Sequence, residues 1–113
     1  MLYLASPYSH PRPEVMAERF RLAMQCTAEL LRQGNSVYSP IVHCHELALT
    51  HNLPTDFAFW CKYNFDMLRR ADTFMILKID GYVESVGLTA EWELARTLSL
   101  PIYYVDEKGE VLL

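Results

Sequence analysis

The sequence predicts an α/β fold built on a parallel sheet, because short apolar runs closed by turn residues alternate with stretches of helical periodicity. Three observations carry this expectation. Leu2 to Ala5 is an apolar run stopped by Ser6-Pro7, and Thr73 to Leu77 is β-branched or bulky throughout. Between them, Met16, Phe20, Ala23, Met24, Thr27, Leu30 and Leu31 recur at helical spacing. With 113 residues, 51% of them apolar, the chain can bury one core but not two, so a single domain over residues 1–113 is expected.

Taken in order, Leu2 to Ala5 forms the first strand. The helix from Pro13 runs about six turns, with Gly34 suited to its C′ position. Ser36-Val37-Tyr38 is a short strand broken by Ser39-Pro40, and a short helix over His43 to His51 ends at Asn52-Leu53-Pro54. Thr55 or Asp56 caps a helix reaching Arg70, and Thr73 to Leu77 is the central strand. After the Asp80-Gly81 turn, Ser85 caps a helix to about Ser99, Ile102 to Val105 is a strand, and Glu107-Lys108-Gly109 turns into an edge strand at Val111 to Leu113. The order implies right-handed crossovers and a doubly wound, flavodoxin- or Rossmann-like parallel sheet of four to five strands with helices on both faces. Ligands of such sheets bind beyond the carboxyl ends of the strands, which directs attention to Ser6–His10, Ser39–His45 and Asp80–Glu91.

Composition excludes several classes of function. The net charge is −4 and the ten Lys and Arg are scattered, so no footprint for a nucleic-acid polymer is present. Cys26, Cys44 and Cys61 are odd in number and lack CxxC spacing, which argues against a disulfide framework or a zinc ribbon. His43 and His45 lack further ligands for a metal, and no metal or cofactor is expected. The first residues lack the basic start and apolar length of a signal segment, and no run is long enough to span a membrane; a cytoplasmic protein with no membrane partner is expected.

Two helices carry polar residues on their apolar stripes. Leu88, Glu91, Leu94, Ala95 and Leu98 share one face, so Glu91 points to the core whereas Glu93 falls with Arg96 and Thr97 on the solvated side. An inward carboxylate costs desolvation unless it borders a cleft or finds a partner, which makes Glu91 a functional group, half of a structural ion pair, or an edge-of-core Glu reaching water. Asn64 shares its stripe with Trp60, Cys61, Met67 and Leu68 and is either a pocket residue or a buried amide satisfying backbone groups; Asp66, among Lys62, Arg69 and Arg70, is a surface residue. Ser85-Val86-Gly87 sets a hydroxyl and a glycine at a helix N-terminus, where free amides attract an anion, and Ser6 and Ser9 are able to add hydroxyls there. Each of these serines is equally suited to plain capping or turn formation.

Tyr3-Leu4-Ala5-Ser6-Pro7-Tyr8, Ala71-Asp72 before a strand, and Ser85-Val86-Gly87 followed by Glu91 and Ala95 together resemble the nucleoside 2-deoxyribosyltransferase superfamily, including its deoxynucleoside-monophosphate N-glycosidase branch. The resemblance extends from Leu2 to Val105. It implies that Glu91 attacks C1′ of the sugar to form a glycosyl-enzyme that water or a second base resolves, and that Tyr3 orients the carboxylate. Ser6, Tyr8, Ser9, His43, Ser85 and Gly87 are the candidate substrate or phosphate contacts, and the resemblance implies that Ser85, where nucleoside-using members carry an acid, favours a 5′-phosphate. A nucleoside or nucleotide is the implied small-molecule partner, and a homo-oligomer the implied assembly. The departure is Asn64, which stands where the family has an Asp that protonates the leaving base; an amide hydrogen-bonds a base but delivers no proton. His43, Tyr8 and Tyr82 are the alternative donors. Loss of turnover would leave a nucleotide-binding sensor of the same fold, and a structural oligomerisation domain would make Glu91 an interface ion pair.

Overall fold

A computed structural model describes all 113 residues. Its elements are β1 (Leu2–Ala5), α1 (Pro13–Arg32), β2 (Val37–Tyr38), α2 (Pro40–His51), α3 (Phe57–Leu68), β3 (Thr73–Leu77), α4 (Val86–Thr97), β4 (Ile102–Val105) and β5 (Val111–Leu112). One sheet runs in the order β2-β1-β3-β4-β5. The first four strands are mutually parallel, with Tyr3 beside Tyr38 and Phe74, and Met75 beside Tyr103.

The expectation of a wholly parallel sheet requires one correction, because β5 pairs antiparallel to β4. The turn from Asp106 to Glu110 is too short for a crossover and closes as a hairpin. The Asp106 carboxylate accepts the amides of Lys108 and Glu110, and Gly109 takes φ 76°.

Alternation along the strands builds a core on each side of the sheet. Leu2, Leu4, Met75 and Leu77 meet Ala23, Cys26 and Leu30 of α1 and Ile41, Cys44 and Ala48 of α2. Tyr3, Ala5, Phe74 and Ile76 meet Leu68 of α3 and Leu88 and Ala95 of α4.

The helix ends follow their local chemistry. Asn35 N–H reaches the Leu30 carbonyl and Gly34 N–H that of Leu31, a Schellman closure with Gly34 at φ 93°. Ser39-Pro40 does more than stop a strand: Ser39 accepts the Val42 amide at 3.2 Å and Pro40 occupies the first helical position, so α2 begins three residues before His43. Helix α3 stops at Leu68, short of Arg70, and Asp56 stands at its N-cap without a side-chain cap bond. Ser85 caps α4 as expected, accepting Leu88 N–H at 3.2 Å.

Candidate functional site

The second residue of β1 and the second turn of α4 bring Tyr3 and Glu91 together. Tyr3 Oη donates to Glu91 Oε2, and the Tyr3 ring is fixed by stacking on Phe74 at 5.8 Å and by Tyr38 at 5.6 Å. Glu91 is 5% exposed. Burial pushes its carboxyl up to about 7, the Tyr3 hydrogen bond pulling the other way. Tyr3 itself is held far above the usual phenol range by burial and by the neighbouring Glu91 charge, so the shared proton stays on Tyr3. None of the chain's ion pairs includes Glu91, which removes the intrachain ion pair as the reason for its position.

Glu91 forms part of the wall of a cavity of about 300 Å³, large enough for a small ligand. The cavity lies beyond the carboxyl ends of β1 and β3, where the strand order reverses. Ser6, Tyr8 and Ser9 enter from the loop after β1, Pro40, Ile41 and Cys44 from α2, and Thr55 to Phe57, Trp60 and Asn64 from the start and inner face of α3. Glu84 to Leu88 close it at the head of α4. Ser9 Oγ donates to the Thr55 carbonyl at 3.0 Å, which ties the β1–α1 loop to the entry of α3.

The hydrogen-bonding capacity facing this cavity is partly unspent. Ser6 Oγ is buried and has no partner within the chain, an arrangement that costs free energy unless something else bonds it. The amides of Val86 and Gly87 also lack partners, as first-turn amides do, while the Ser85 hydroxyl oxygen serves the Leu88 amide. Gly87 allows α4 to start against α3, since a Cβ there would stand 3.2 Å from Phe57 Cδ1. Asn64 is 9% exposed; its Oδ1 accepts from Tyr38 Oη at 3.5 Å, and its Nδ2 is unpaired.

Eight of the nine expected site residues are thus assembled: Ser6, Tyr8, Ser9, Asn64, Ser85, Gly87 and Glu91 in the wall, with Tyr3 behind Glu91. His43 is the exception. It is exposed on the outer side of α2 and stacks on Tyr63 at 5.2 Å, outside the cavity wall. In a helix that starts at Pro40, positions 43 and 45 lie on different faces, and His45 is the one turned inward. His45 is buried between the Phe20 ring at 4.2 Å and Tyr8, whose hydroxyl lies 2.6 Å from His45 Nδ1. Tyr82 is also outside the wall, packed edge-on against Tyr104 at 6.1 Å.

Three further residues contribute to the site, two of them in turns where no periodicity marks them. Asp56 and Glu84 stand exposed at its rim in turns, and no Lys, Arg or His lines it. Arg19 of α1 acts from outside, donating to the carbonyls of Tyr8 and Ser9 at 3.3 and 3.1 Å. Its guanidinium lies so close to Gly81 that a Cβ there would fall 2.2 Å from Nη2. Arg19 is thus bonded to the loop after β1 and packed against the loop after β3.

Residues 1–107 match the family model described as Domain of unknown function (DUF1937). The chain belongs to that family. No curated protein gives a match to it. No helix is long and apolar enough to cross a membrane, and no three His, Cys, Asp or Glu side chains are grouped as a metal site would need.

Proposed function

We propose that the chain cleaves the N-glycosidic bond of a nucleoside or nucleoside 5′-monophosphate, by hydrolysis or by transfer of the sugar, with Glu91 as nucleophile. The observation that carries this reading is the Tyr3–Glu91 pair in the cavity wall: a desolvated carboxylate, unpaired by any cation, aimed by a fixed phenol. The ionised Glu91 oxygen attacks C1′, the C1′–N bond breaks with its electron pair going to the base, and a glycosyl ester forms. Water or a second base then attacks C1′ from the other side and releases the carboxylate. Several observations support it. The strand order β2-β1-β3-β4 is the doubly wound, flavodoxin-like order, with the cavity at its switch point. The Ser6 hydroxyl and the Val86 and Gly87 amides are donors for the sugar or a 5′-phosphate, while Asp56 and Glu84 at the rim weaken any pull on phosphate. Bulky apolar side chains in solvent, among them Phe59 at 49% and Val86 at 75% exposure, support a homo-oligomer.

A second reading, a nucleotide-binding sensor without turnover, is favoured by Asn64, which gives the cavity an amide where a carboxylic acid would protonate a departing base. One assay separates the two. Purified protein is incubated with nucleosides and their 5′-monophosphates and free base is followed by chromatography. Glu91→Gln removes base release while the fold persists, and Glu93→Gln, exposed on the far side of α4, leaves it unchanged. Equal turnover by wild type and a folded Glu91→Gln protein takes Glu91 out of the mechanism.

A further inference from the structure

Resting on the glycosidase reading, the cavity raises the question of which leaving group it is built to release. An ordinary nucleobase departs as an anion unless a proton reaches it, so its cleavage calls for a general acid close to the base. The buried part of the wall offers none. Asn64 has no acidic proton, and Glu91 is committed as nucleophile. Burial pushes the Tyr8 phenol up to about 12 and the Cys44 thiol up to about 11, too weakly acidic to serve near neutral pH. Asp56 and Glu84 stand in exposed turns at the rim, not in the buried wall.

Charge points the same way. Every ionised side chain in the wall is a carboxylate, and no Lys, Arg or His balances them. Trp60, Phe57 and Tyr8 add aromatic surface, which with carboxylates forms a lining suited to a flat organic cation. The buried, unpartnered Ser6 hydroxyl independently marks the cavity as a place where a polar ligand group is expected. The unpaired Nδ2 of Asn64, beside its own carbonyl, matches the donor and acceptor of a primary carboxamide.

We infer that the preferred substrate is a quaternary N-glycoside of the nicotinamide nucleoside class, in which a carboxamide-bearing pyridinium ring is joined to C1′. Such a leaving group needs no acid. Glu91 forms the C1′–O bond, the C1′–N⁺ bond breaks, and its electron pair neutralises the ring nitrogen, so the pyridine leaves uncharged. Water then adds to C1′, one of its protons is released to solvent, and Glu91 is regenerated. Asn64 holds the carboxamide and has no part in proton transfer.

The test compares release of nicotinamide from nicotinamide riboside with release of base from adenosine, deoxyadenosine and their 5′-monophosphates. Wild type is expected to favour nicotinamide riboside by about 100-fold or more in kcat/KM, the lower end of what a missing general acid costs a neutral base. Asn64→Asp is expected to raise release of adenine and leave nicotinamide release no faster. Binding to Glu91→Gln, read by calorimetry, gives a second measure. Nicotinamide riboside is expected to bind roughly tenfold tighter than its uncharged dihydro form, a difference that Asp56→Asn with Glu84→Gln should erase. Adenine released as fast as nicotinamide overturns the inference and leaves the glycosidase reading standing, as does equal binding of charged and dihydro forms. If wild type releases neither nicotinamide nor base, both readings fall.

Discussion

At the scale of single residues, the chain keeps Glu91 where it is costly. The carboxyl ionises near 7 in the folded protein against about 4.5 as an ordinary Glu. Between those values the folded state holds a proton that the unfolded state has lost. Stability from this group is therefore full below about 4.5 and declines as pH rises. It is gone above about 7, a loss on the order of 3 kcal/mol. Glu91→Gln, which never ionises, should be more stable than wild type at pH 8 by roughly 1–3 kcal/mol and show little advantage at pH 5. Urea unfolding of both proteins at the two pH values measures this; an advantage that does not grow with pH would mean that Glu91 is not the group titrating. The sequence exposed this residue because an acid on the stripe of Leu88 and Ala95 is out of place. Asn64 was legible in the same way, from Trp60 and Leu68.

Among the elements, α2 and α4 show how far local signals reach. Ser85 and Ser39 both cap helices through the hydroxyl, accepting amides three residues on. At Ser85 the sequence spoke clearly because a long apolar stripe follows. At Ser39 the adjoining Tyr38 strand and Pro40 suggested a break, so the first turn of α2, which sets the directions of His43 and His45, was not read as helix. Asp56 and Glu84 were out of reach for another reason, since turns have no period from which to read a direction. For α4, Ser85→Ala should cost about 1 kcal/mol of stability through the lost cap. It should also weaken ligand binding more than Ser39→Ala, whose cap loss is similar but whose helix begins with Pro40, which has no N–H to offer. Thermal melts and calorimetry of the two variants check this; equal effects on binding would remove the head of α4 from the ligand site.

For the molecule as a whole, the sheet divides work between its faces by the simple alternation of β1. Tyr3 and Leu4 are neighbours in sequence and both fully buried, yet Tyr3 belongs to the α3/α4 side with Glu91 and Leu4 to the α1/α2 side. Leu4→Ala should cost about 2–5 kcal/mol, a large part of the 5–15 kcal/mol typical of a domain, while sparing the pH profile of whatever protein stays folded. Tyr3→Phe keeps the ring packing and removes the donor that favours the Glu91 carboxylate, so the acid limb of kcat/KM should move to higher pH with a smaller loss of stability. A pH–rate profile displaced by Leu4→Ala and not by Tyr3→Phe would reverse this division. The parallel part of the sheet and its central β3 were legible because buried parallel strands read as continuous apolar runs. The reversal at β5 depended on a turn whose length, not its hydropathy, decides strand direction.

Arg19 and Gly81 have a joint consequence for how this chain is free to vary over time. The guanidinium occupies the space that any side chain at 81 would take, and Gly81 sits at φ 93°, where other residues are strained. The two positions are therefore coupled through that guanidinium. A shorter residue at 19 opens the space at 81 but gives up the bonds to the Tyr8 and Ser9 carbonyls, whereas a larger residue at 81 must push the flexible end of Arg19 aside, at the expense of the same bonds. Relatives that have crossed that step should carry both changes together, and their pocket loops should be tied by some other contact.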